Sequence, residues 1–443
     1  MWIGLDDTDS TFAGGCTTFA AYRIISHLTG RGYYVIGYPR LVRLNPNIPW
    51  KTRGNGALSF QIASDGEKEI LIGLNNGEKI YGYQKIKEEC DNPKKIFDLV
   101  SKILEKEARF DDENTNPGLV VTREKIDYEL YKKAVKTIVS LDKVVSLLGK
   151  NNALYIGYKN KRGLIGAAAS IAWSPINDRT YELITYRKEK KIGSKREVDD
   201  DSVKIMDKKI ATTFDNYDYV NKHNRIKPNS PCPVLYGIRG DVAHDLIKAM
   251  KIVKSEDFQG WMIFESNQGT DEHLQRKEKI KDVSSFESVI LKGTVWKEPF
   301  TIPGGHVIFK IKDGNNDTID CAAYEPTKEF RSIIRGLCKG DVVEVYGGVR
   351  EKPFTINLEK IKIIDVVKIV KKVENPVCEK CGKHMKSMGK EEGFRCVKCG
   401  AKTDESKAKY AIISRKPSPG FYEVPVCARR HLSKPLKRMV KEA

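Results

Sequence analysis

Four cysteines near the end of the chain are spaced to bind one metal ion. Two residues separate Cys378 from Cys381, and two residues separate Cys396 from Cys399. Fourteen residues lie between the two pairs. A glycine follows each pair, where the turn of a zinc knuckle needs a permissive backbone. Two such turns place four thiolates around a tetrahedral Zn²⁺. Because four protein ligands leave no position for water, we predict a structural zinc ribbon; redox dithiols or free thiols are the alternative.

The length and charge of the chain suggest several domains and a polyanionic partner. At roughly 100–200 residues per domain, the 443 residues predict two to four domains. There are 78 Lys and Arg residues against 59 Asp and Glu residues, a formal charge of +19. Lys and Arg gain affinity for nucleic acids by displacing counterions from phosphates. A lysine-rich solvated surface is the alternative explanation of the charge.

The sequence contains no pattern that predicts a membrane span or a secretory signal. Its longest apolar run, 163–173, is shorter than the ~20 residues that a bilayer-spanning helix needs. The first residues lack a basic region followed by an apolar one. We therefore expect a cytoplasmic protein with no membrane partner. In that compartment the ten cysteines are more readily metal ligands or buried thiols than disulfides.

Strand-like and helix-like segments alternate through about residue 280, which predicts an α/β or α+β body. From residue 283 the pattern changes to five short strands with alternating polarity, and a helical stretch over 327–337 follows the third. Five strands with a helix after the third are typical of the OB-fold, a small barrel often used to bind oligonucleotides. Another small β-barrel or an SH3-like domain is the alternative. Overall, the sequence predicts an α/β and α+β multidomain protein.

An acidic turn follows the first predicted strand. Asp6, Asp7 and Asp9 would repel one another on one tight turn unless a cation joined them, and Mg²⁺ with bound phosphates is the usual cation. The next helix begins near Thr17 and Thr18, so its N-terminal amides lie beside the carboxylates. This arrangement is consistent with a phosphoryl-transfer centre, although Asp-rich turns and threonine caps are also common in other proteins. The P-loop pattern GxxxxGK[ST] does not occur in the sequence.

Further polar segments suggest substrate contacts. Lys161 and Arg162 precede a glycine-rich helical run, which indicates either a phosphate contact or a solvated loop before a tightly packed helix. Arg239 and Asp271 lie in polar, glycine-containing segments at the ends of predicted strands, where α/β proteins bind ligands. Ordinary turn chemistry explains these segments equally well.

Together these motifs resemble one family, the archaeal 2-agmatinylcytidine synthetases, over nearly the whole chain. The order of barrel, four-cysteine ribbon and basic tail also matches. The stretches that carry the resemblance are Asp6 to Asp9, Gly15 to Thr18, Arg162 to Trp173, Thr180 to Leu183, Thr213 to Asn216, Tyr236 to Gly240, Asn267 to Asp271 and Ala428 to Leu432.

The resemblance implies a domain order that sequence patterns alone do not give. It implies a kinase-like catalytic domain over 1–117, a ferredoxin-like substrate region over 118–282 that can interleave with the first, an OB-fold over 283–370, a zinc ribbon over 374–404 and a basic tail over 405–443. We expect the barrel and the tail to contact RNA phosphates. The resemblance leaves the oligomeric state open.

The resemblance also implies an activity. Such an enzyme joins agmatine to C2 of the wobble cytidine, position 34, of the AUA-decoding isoleucine tRNA, using ATP with Mg²⁺ and passing through a phosphorylated cytidine. Thr17 or Thr18 matches the threonine that is phosphorylated in the family. The guanidinium of agmatine needs a carboxylate partner, for which we select three aspartates. These are Asp178, Asp215 and Asp271.

Two other functions stay open at this point. One is a non-catalytic nucleic-acid-binding protein built on the OB-fold and the ribbon, which would bind RNA without using ATP. The other is a different ATP-using tRNA enzyme that transfers another amine, since only the resemblance points to agmatine.

Overall fold

One mixed sheet of eleven strands forms the body of the protein. The structure, a computed structural model, describes residues 1–389 and 392–439. The last four residues of the predicted tail, 440–443, and two residues of the predicted ribbon therefore lie outside the described residues. Up to residue 266 the strands are β1 (Trp2–Asp6), β2 (Tyr34–Arg43), β3 (Gly56–Ala63), β4 (Asp65–Asn75), β5 (Glu78–Glu88), β6 (Gly118–Thr122), β7 (Leu154–Gly157), β8 (Thr180–Arg187), β9 (Thr213–Phe214), β10 (Tyr217–Asp218), β11 (His223–Asn224), β12 (Val234–Gly240) and β13 (Phe258–Ser266).

The strand order joins segments that the sequence assigned to separate domains. It is β7-β6-β1-β3-β2-β5-β4-β13-β8-β12-β9, while β10 and β11 form their own pair. Strand β6 lies antiparallel beside β1, and β13 connects β4 to β8. The region from residue 118 to 157 therefore completes the sheet that contains β1. The helices packed on this sheet are α1 (Thr17–Thr29), α2 (Pro93–Glu107), α3 (Tyr128–Lys136), α4 (Leu141–Lys150), α5 (Gly163–Ala172), α6 (Asp200–Lys209) and α7 (Ala243–Ile252).

The sequence pattern predicts helices over 17–28, 85–109 and 127–148; α1 begins as predicted, and the two later helices differ from their predictions. The predicted apolar face of α1 is buried, with Tyr22, Ile25 and Leu28 fully covered. The helix predicted from residue 85 starts at Pro93, because the preceding residues form β5. The long helix predicted over 127–148 is two helices, α3 and α4, which pack with α5 into one core.

Small residues let α5 lie directly against the strands. A Cβ at Gly4 of β1 would be 2.3 Å from the carbonyl oxygen of Ala167, and a Cβ at Gly118 would be 2.2 Å from the backbone of Gly163. Contacts this short exclude a side chain at either glycine. Of the two interpretations of the glycine-rich run, tight helix packing is therefore present, and it brings the start of α5 to the end of β1.

A closed ring of five strands follows the large sheet. Strand β15 pairs with β16 and β18, β19 pairs with β17 and β18, and β16 pairs with β17. Val307, Phe309 and Ile311 alternate into its core, as the sequence predicts. The elements of this region are β14 (Leu274–Lys277), β15 (Ser288–Ile302), β16 (His306–Lys312), β17 (Thr318–Ala323), α8 (Phe330–Arg335), β18 (Val342–Arg350) and β19 (Thr355–Asp365).

A two-stranded ladder, β20 with β24, carries the cysteine module, and the chain then returns to the barrel, where β25 pairs with β19. The bounds are β20 (Ile369–Glu374), β21 (Lys386–Ser387), β22 (Phe394–Arg395), β23 (Lys402–Thr403), β24 (Lys409–Ile413), β25 (Gly420–Glu423) and α9 (Leu436–Met439). In the ranges that the structure describes, no helix is long and apolar enough to cross a membrane.

Much of the predicted basic tail is folded into the protein. Arg429 is buried and pairs with Asp215 and Glu423. Arg438 is also buried and pairs with Asp178 and Asp241. Because these guanidinium groups are engaged by carboxylates of the chain itself, the expectation that the tail contacts RNA phosphates is not supported for them. These ion pairs hold the described part of the tail against the loops of the large sheet.

Candidate active site

The acidic turn lies where β1 ends, in a gap that α5 leaves open. Asp6 is the last residue of β1, and a Cβ at Gly166 of α5 would lie only 1.8 Å from its Oδ2. Asp7 has a left-handed backbone with φ of 56°, which aspartate tolerates better than most residues. Its carboxylate accepts hydrogen bonds from the Thr52 hydroxyl at 2.9 Å and from the Asn116 amide at 3.0 Å.

The two carboxylates at the start of the turn are held in an environment that disfavours their charge. Burial raises the pKa of Asp6 well above its ordinary value, and the neighbouring charge of Asp7 adds to the shift. Burial also raises the pKa of Asp7, against the opposing effect of its hydrogen bond from Thr52. Like charges that are partly removed from water favour the binding of a cation between them.

Asp9 is held by an arginine that the sequence analysis missed. Nε of Arg53 donates to Oδ2 of Asp9 at 2.6 Å, and the same guanidinium donates to the carbonyl of Gly15 and to the hydroxyl of Ser230. Arg53 precedes the segment Gly54-Asn55-Gly56, whose glycines indicate in the sequence only an interruption of the strand pattern. A basic residue beside closely spaced glycines was the available signal. The bridge connects the acidic turn to the segment before β12.

Two buried threonines begin α1 beside these carboxylates. Thr17 accepts a hydrogen bond from the Thr8 hydroxyl at 3.1 Å, and the hydroxyl of Thr18 lies 3.0 Å from Sγ of Cys16. Both threonines are nearly covered, with exposed fractions of 6% and 7%. The N-terminus of a helix carries partial positive charge and favours an anion. Hydroxyls, carboxylates and a helix terminus therefore converge at one place.

These groups line a cleft of about 390 Å³. The acidic turn and the threonines form one side of it. Residues from β8, β12 and the segment before β12 also line the cleft, together with His431 of the tail. The far side contributes Glu182 and Arg239, with 3.6 Å between Oε1 and Nε. The cleft is thus lined by both carboxylates and guanidinium groups.

Of the three basic residues predicted to contact a substrate, two line the cleft and one does not. Arg162 and Arg239 line the cleft, and one Nη of Arg162 lies 3.4 Å from the carbonyl of Asn114. Lys161 precedes Arg162 with a left-handed backbone, φ of 61°, and is not among the cleft-lining residues in the described part of the chain. The loop therefore brings Arg162 to the site and leaves Lys161 beside it.

The three aspartates selected for a guanidinium lie outside the lining of the cleft, as far as the described residues show. Each one already pairs with a cation of the chain. The pairs are Asp178 with Arg438 at 2.8 Å, Asp215 with Arg429, and Asp271 with Lys360. A carboxylate whose charge is already compensated gains less from an external guanidinium.

The four cysteines of the module converge as their spacing predicts. All four Sγ atoms lie within 4.8 Å of one another, and Gly382 and Gly400 have positive φ, as the knuckle turns require. Backbone amides, that of Cys399 first, lower the pKa of Cys396 to about 6, which favours the metal-binding thiolate. The residues fit a tetrahedral Zn²⁺ with no position left for water.

Comparisons with known proteins agree with this architecture. Residues 2–160 match the TiaS TCKD domain family, residues 161–273 match the TiaS FLD domain, and residues 375–416 match the TiaS C-terminal zinc ribbon domain. The chain belongs to the TiaS family. It therefore carries the family's zinc ribbon on its four cysteines, and the resemblance noted in the sequence is confirmed. The first match ends after β7.

Full-length relatives support the same conclusion. The chain is 43% identical to the isoleucine-2 tRNA 2-agmatinylcytidine synthetase TiaS from Archaeoglobus fulgidus, with 99% of this chain and 97% of the relative covered. It is 45% identical to the enzyme of that name from Methanocaldococcus jannaschii, with 99% and 98% covered. Among solved structures, a complex of TiaS with the isoleucine-2 tRNA and ATP is similar with a TM-score of 0.84 at 42% identity. A complex of TiaS with that tRNA, AMPCPP and agmatine has a TM-score of 0.82 at 39% identity, and each comparison covers 99% of this chain and 97% of the other.

Proposed function

We propose that this chain joins agmatine to C2 of the wobble cytidine, position 34, of the AUA-decoding isoleucine tRNA in an ATP-dependent reaction. The names of its full-length relatives and their complexes with the isoleucine-2 tRNA, ATP and agmatine support this function. The structural observation that carries it is the meeting of the acidic turn with two buried threonines at the start of α1. A chain that only bound RNA would have no use for half-buried, mutually repelling carboxylates beside two hydroxyls.

The arrangement suits the chemistry of the reaction. The C2 oxygen of cytosine is a poor leaving group, and phosphorylating it makes a good one. The primary amine of agmatine can then form the new bond to C2 while phosphate leaves. Phosphoryl transfer depends mainly on positioning and on stabilising charge. The cytidine must also leave its stack to enter the cleft, at a cost of a few kcal/mol.

The carboxylates and hydroxyls take separate roles in this proposal. Asp6, Asp7 and Asp9 would hold Mg²⁺, which neutralises charge on the phosphates of ATP when it is bound. Arg53 fixes the orientation of Asp9 and adds a positive charge beside the turn. Thr17 or Thr18 is the phosphorylated threonine, and both are placed at the amide end of α1.

The finer domain assignments belong to the same proposal. We assign the kinase-like fold to the N-terminal region, the ferredoxin-like fold to the region that follows it and the OB-fold to the five-stranded ring. The ring supports its label because it is closed and carries α8 after its third strand. Together with the ribbon, it would grip the body of the tRNA and supply binding energy for extruding the cytidine.

Substrate contacts are proposed with a clear order of preference. Arg162 and Arg239 line the cleft and are better placed for a substrate than Lys161. Asp178, Asp215 and Asp271 would each have to exchange an internal ion pair for one with agmatine. Glu182 lines the cleft directly, but it too faces a cation of the chain, Arg239, at 3.6 Å. These contacts carry less of the proposal than the acidic turn does.

The test separates an enzyme from a binding protein. Asp7→Ala and Asp9→Ala should abolish ATP consumption and cytidine modification while changing tRNA affinity little, because the lost stabilisation matters only on the path to phosphoryl transfer. Asp142→Ala, at an exposed position of α4, is the matched control. Mass spectrometry after incubation with ATP should find phosphate on Thr17 or Thr18. Full turnover by both variants would move the chemistry away from this turn.

A further inference from the structure

The cationic end of the cleft, formed by three arginines, contains positive charge with incomplete compensation. Arg43 at the end of β2, Arg225 before β12 and Arg239 on β12 all line it. Within the described part of the chain, neither Arg43 nor Arg225 forms an ion pair, and Arg239 reaches only Glu182, at 3.6 Å. Nε of Arg239 is buried and has no hydrogen-bond partner among the described residues.

Burial makes this arrangement costly for the free protein. It lowers the pKa of Arg43 to about 10; the charge of Glu182 opposes the shift and that of Arg239 adds to it. Burial also lowers the pKa of Arg225, with a contribution from Arg239 that Asp215 and Asp218 oppose. Half-buried positive charges that face one another with too few anions destabilise the folded state. An anion entering the cleft would remove that cost.

The C-terminal tail completes this end of the cleft with His431. Nδ1 of its ring lies 2.7 Å from Nη2 of Arg239, and its backbone carbonyl accepts a hydrogen bond from the amide of Gly269. Burial and the three arginines hold the pKa of His431 well below 6.5. The neutral imidazole can therefore accept from Arg239 through Nδ1 and keep the guanidinium in place without adding a fourth positive charge.

A glycine sets how closely these groups approach the acidic turn. A Cβ at Gly54 would lie 2.8 Å from Nη1 of Arg43 and 3.1 Å from Nε2 of His431. The preceding residue, Arg53, binds Asp9. Two adjacent residues of one loop thus contact Asp9 on one side and Arg43 and His431 on the other. A ligand held by the arginines is therefore close to the carboxylates.

We propose that Arg43, Arg225 and Arg239, with His431 as the positioning residue, form an oxyanion site that holds one phosphate group of a substrate. The site rests on the proposed function, which supplies two sources of phosphate, the tRNA backbone and ATP. The acidic turn already provides for ATP and its cation, so a phosphate next to the extruded cytidine is the source we expect. Guanidinium groups bind phosphate in two-pronged, charge-assisted hydrogen bonds, which suits this assignment.

Arg225→Gln gives the sharpest test. Arg225 forms no ion pair with the described residues, so replacing it breaks none. Without ligands, this variant should melt at a higher temperature than wild type, since a half-buried charge that forms no ion pair among the described residues is removed. Its affinity for tRNA should nevertheless fall about tenfold, the effect of losing one charge-assisted hydrogen bond. Arg31→Gln, at the exposed far end of α1, should change neither quantity.

A second arm identifies the phosphate. Full-length tRNA is assembled with neutral methylphosphonate in place of one phosphate at a time beside cytidine 34. At one position, the neutral methylphosphonate should weaken binding of the tRNA to wild-type protein and to Arg31→Gln. The same tRNA should bind Arg225→Gln and Arg239→Gln no more weakly than unmodified tRNA does. If these variants instead lose affinity for ATP, and no single phosphate of the tRNA affects their binding differently from wild type, the oxyanion site binds a phosphate of ATP.

Unchanged affinity for both tRNA and ATP in Arg225→Gln and Arg239→Gln would overturn the site. These are binding measurements and need no turnover. A failure of the proposed ligation reaction would therefore show separately, as wild-type protein that binds both ligands but forms no product.

Discussion

Gly166 faces Asp6 so closely that a Cβ there would lie 1.8 Å from Oδ2 of the carboxylate. Gly166→Ala should therefore displace Asp6 or push α5 away from β1, and ligation activity should fall at least a hundredfold. Gly149→Ala in α4 is the control, because nothing lies within 4 Å of its Cβ. It should keep full activity and melt no lower than wild type, since alanine favours a helix by up to about 1 kcal/mol. Full activity in Gly166→Ala would mean that the position of Asp6 is unimportant.

The acidic turn should cost stability when no cation is present. Because burial raises the pKa of Asp6 in the folded state, folding takes up a proton at this carboxyl, and the contribution of Asp6 to the free energy of unfolding should become more favourable as the pH falls from neutral. Asp6→Asn should melt higher than wild type near neutral pH and lose this gain. Added Mg²⁺ should stabilise wild type more than the variant. Calorimetry with and without Mg²⁺ measures all three effects, and identical melting curves would contradict the account.

His431 should give the opposite pH dependence. Its folded-state pKa is held below 6.5, mainly by burial. The unfolded chain therefore binds the extra proton first, and the contribution of His431 to the free energy of unfolding should fall as the pH drops from about 7 to about 5. His431→Gln keeps an acceptor for Arg239 but cannot titrate, so it should lose less unfolding free energy than wild type over this range. Parallel pH profiles for the two proteins would show that His431 takes up its proton equally in the folded and unfolded states, which contradicts the lowered pKa.

The tail should act in folding more than in RNA binding. Arg429→Met leaves Asp215 and Glu423 without their buried partner, which should cost about 3 kcal/mol of unfolding free energy. Lys407→Met removes an exposed tail cation and should cost at most about 1 kcal/mol. Urea unfolding measures both. Equal stability of the two variants would indicate that the tail is a solvated surface free to contact RNA, as its charge suggested.

The ribbon should hold one zinc ion per chain. Cys396→Ser removes one of the four sulfur ligands and should release the metal, as measured by elemental analysis of freshly purified protein. Cys338→Ser lies outside the cluster and should retain it. Zinc retained in full by Cys396→Ser would mean that the metal is bound elsewhere.

The parts of the site that are local in sequence could be predicted from it. The cysteine spacing, β1 with its acidic turn and the start of α1 each depend on residues within about twenty positions of one another. Such short segments fix their own turns and helix starts. The alternation of Val307, Phe309 and Ile311 likewise predicted a strand that buries one face.

The parts that depend on distant partners could not be predicted. Strand β4 pairs with β13 across the chain, with Trp261 opposite Leu74, a pairing that no local pattern specifies. The cationic end of the cleft joins residues as far apart as Arg43 and His431. Sequence charge marked the tail as basic, but only the fold shows that Asp215 neutralises Arg429.

The most direct test of the central claim is incorporation of labelled agmatine. Purified protein, ATP and agmatine are incubated with the AUA-decoding isoleucine tRNA or with a transcript in which cytidine 34 is replaced by uridine, and the nucleosides are then analysed. We expect ATP-dependent formation of 2-agmatinylcytidine in the first tRNA, none in the second, and none with Asp7→Ala. Failure of wild-type protein to modify the first tRNA, or equal labelling of both transcripts, would contradict the proposed function.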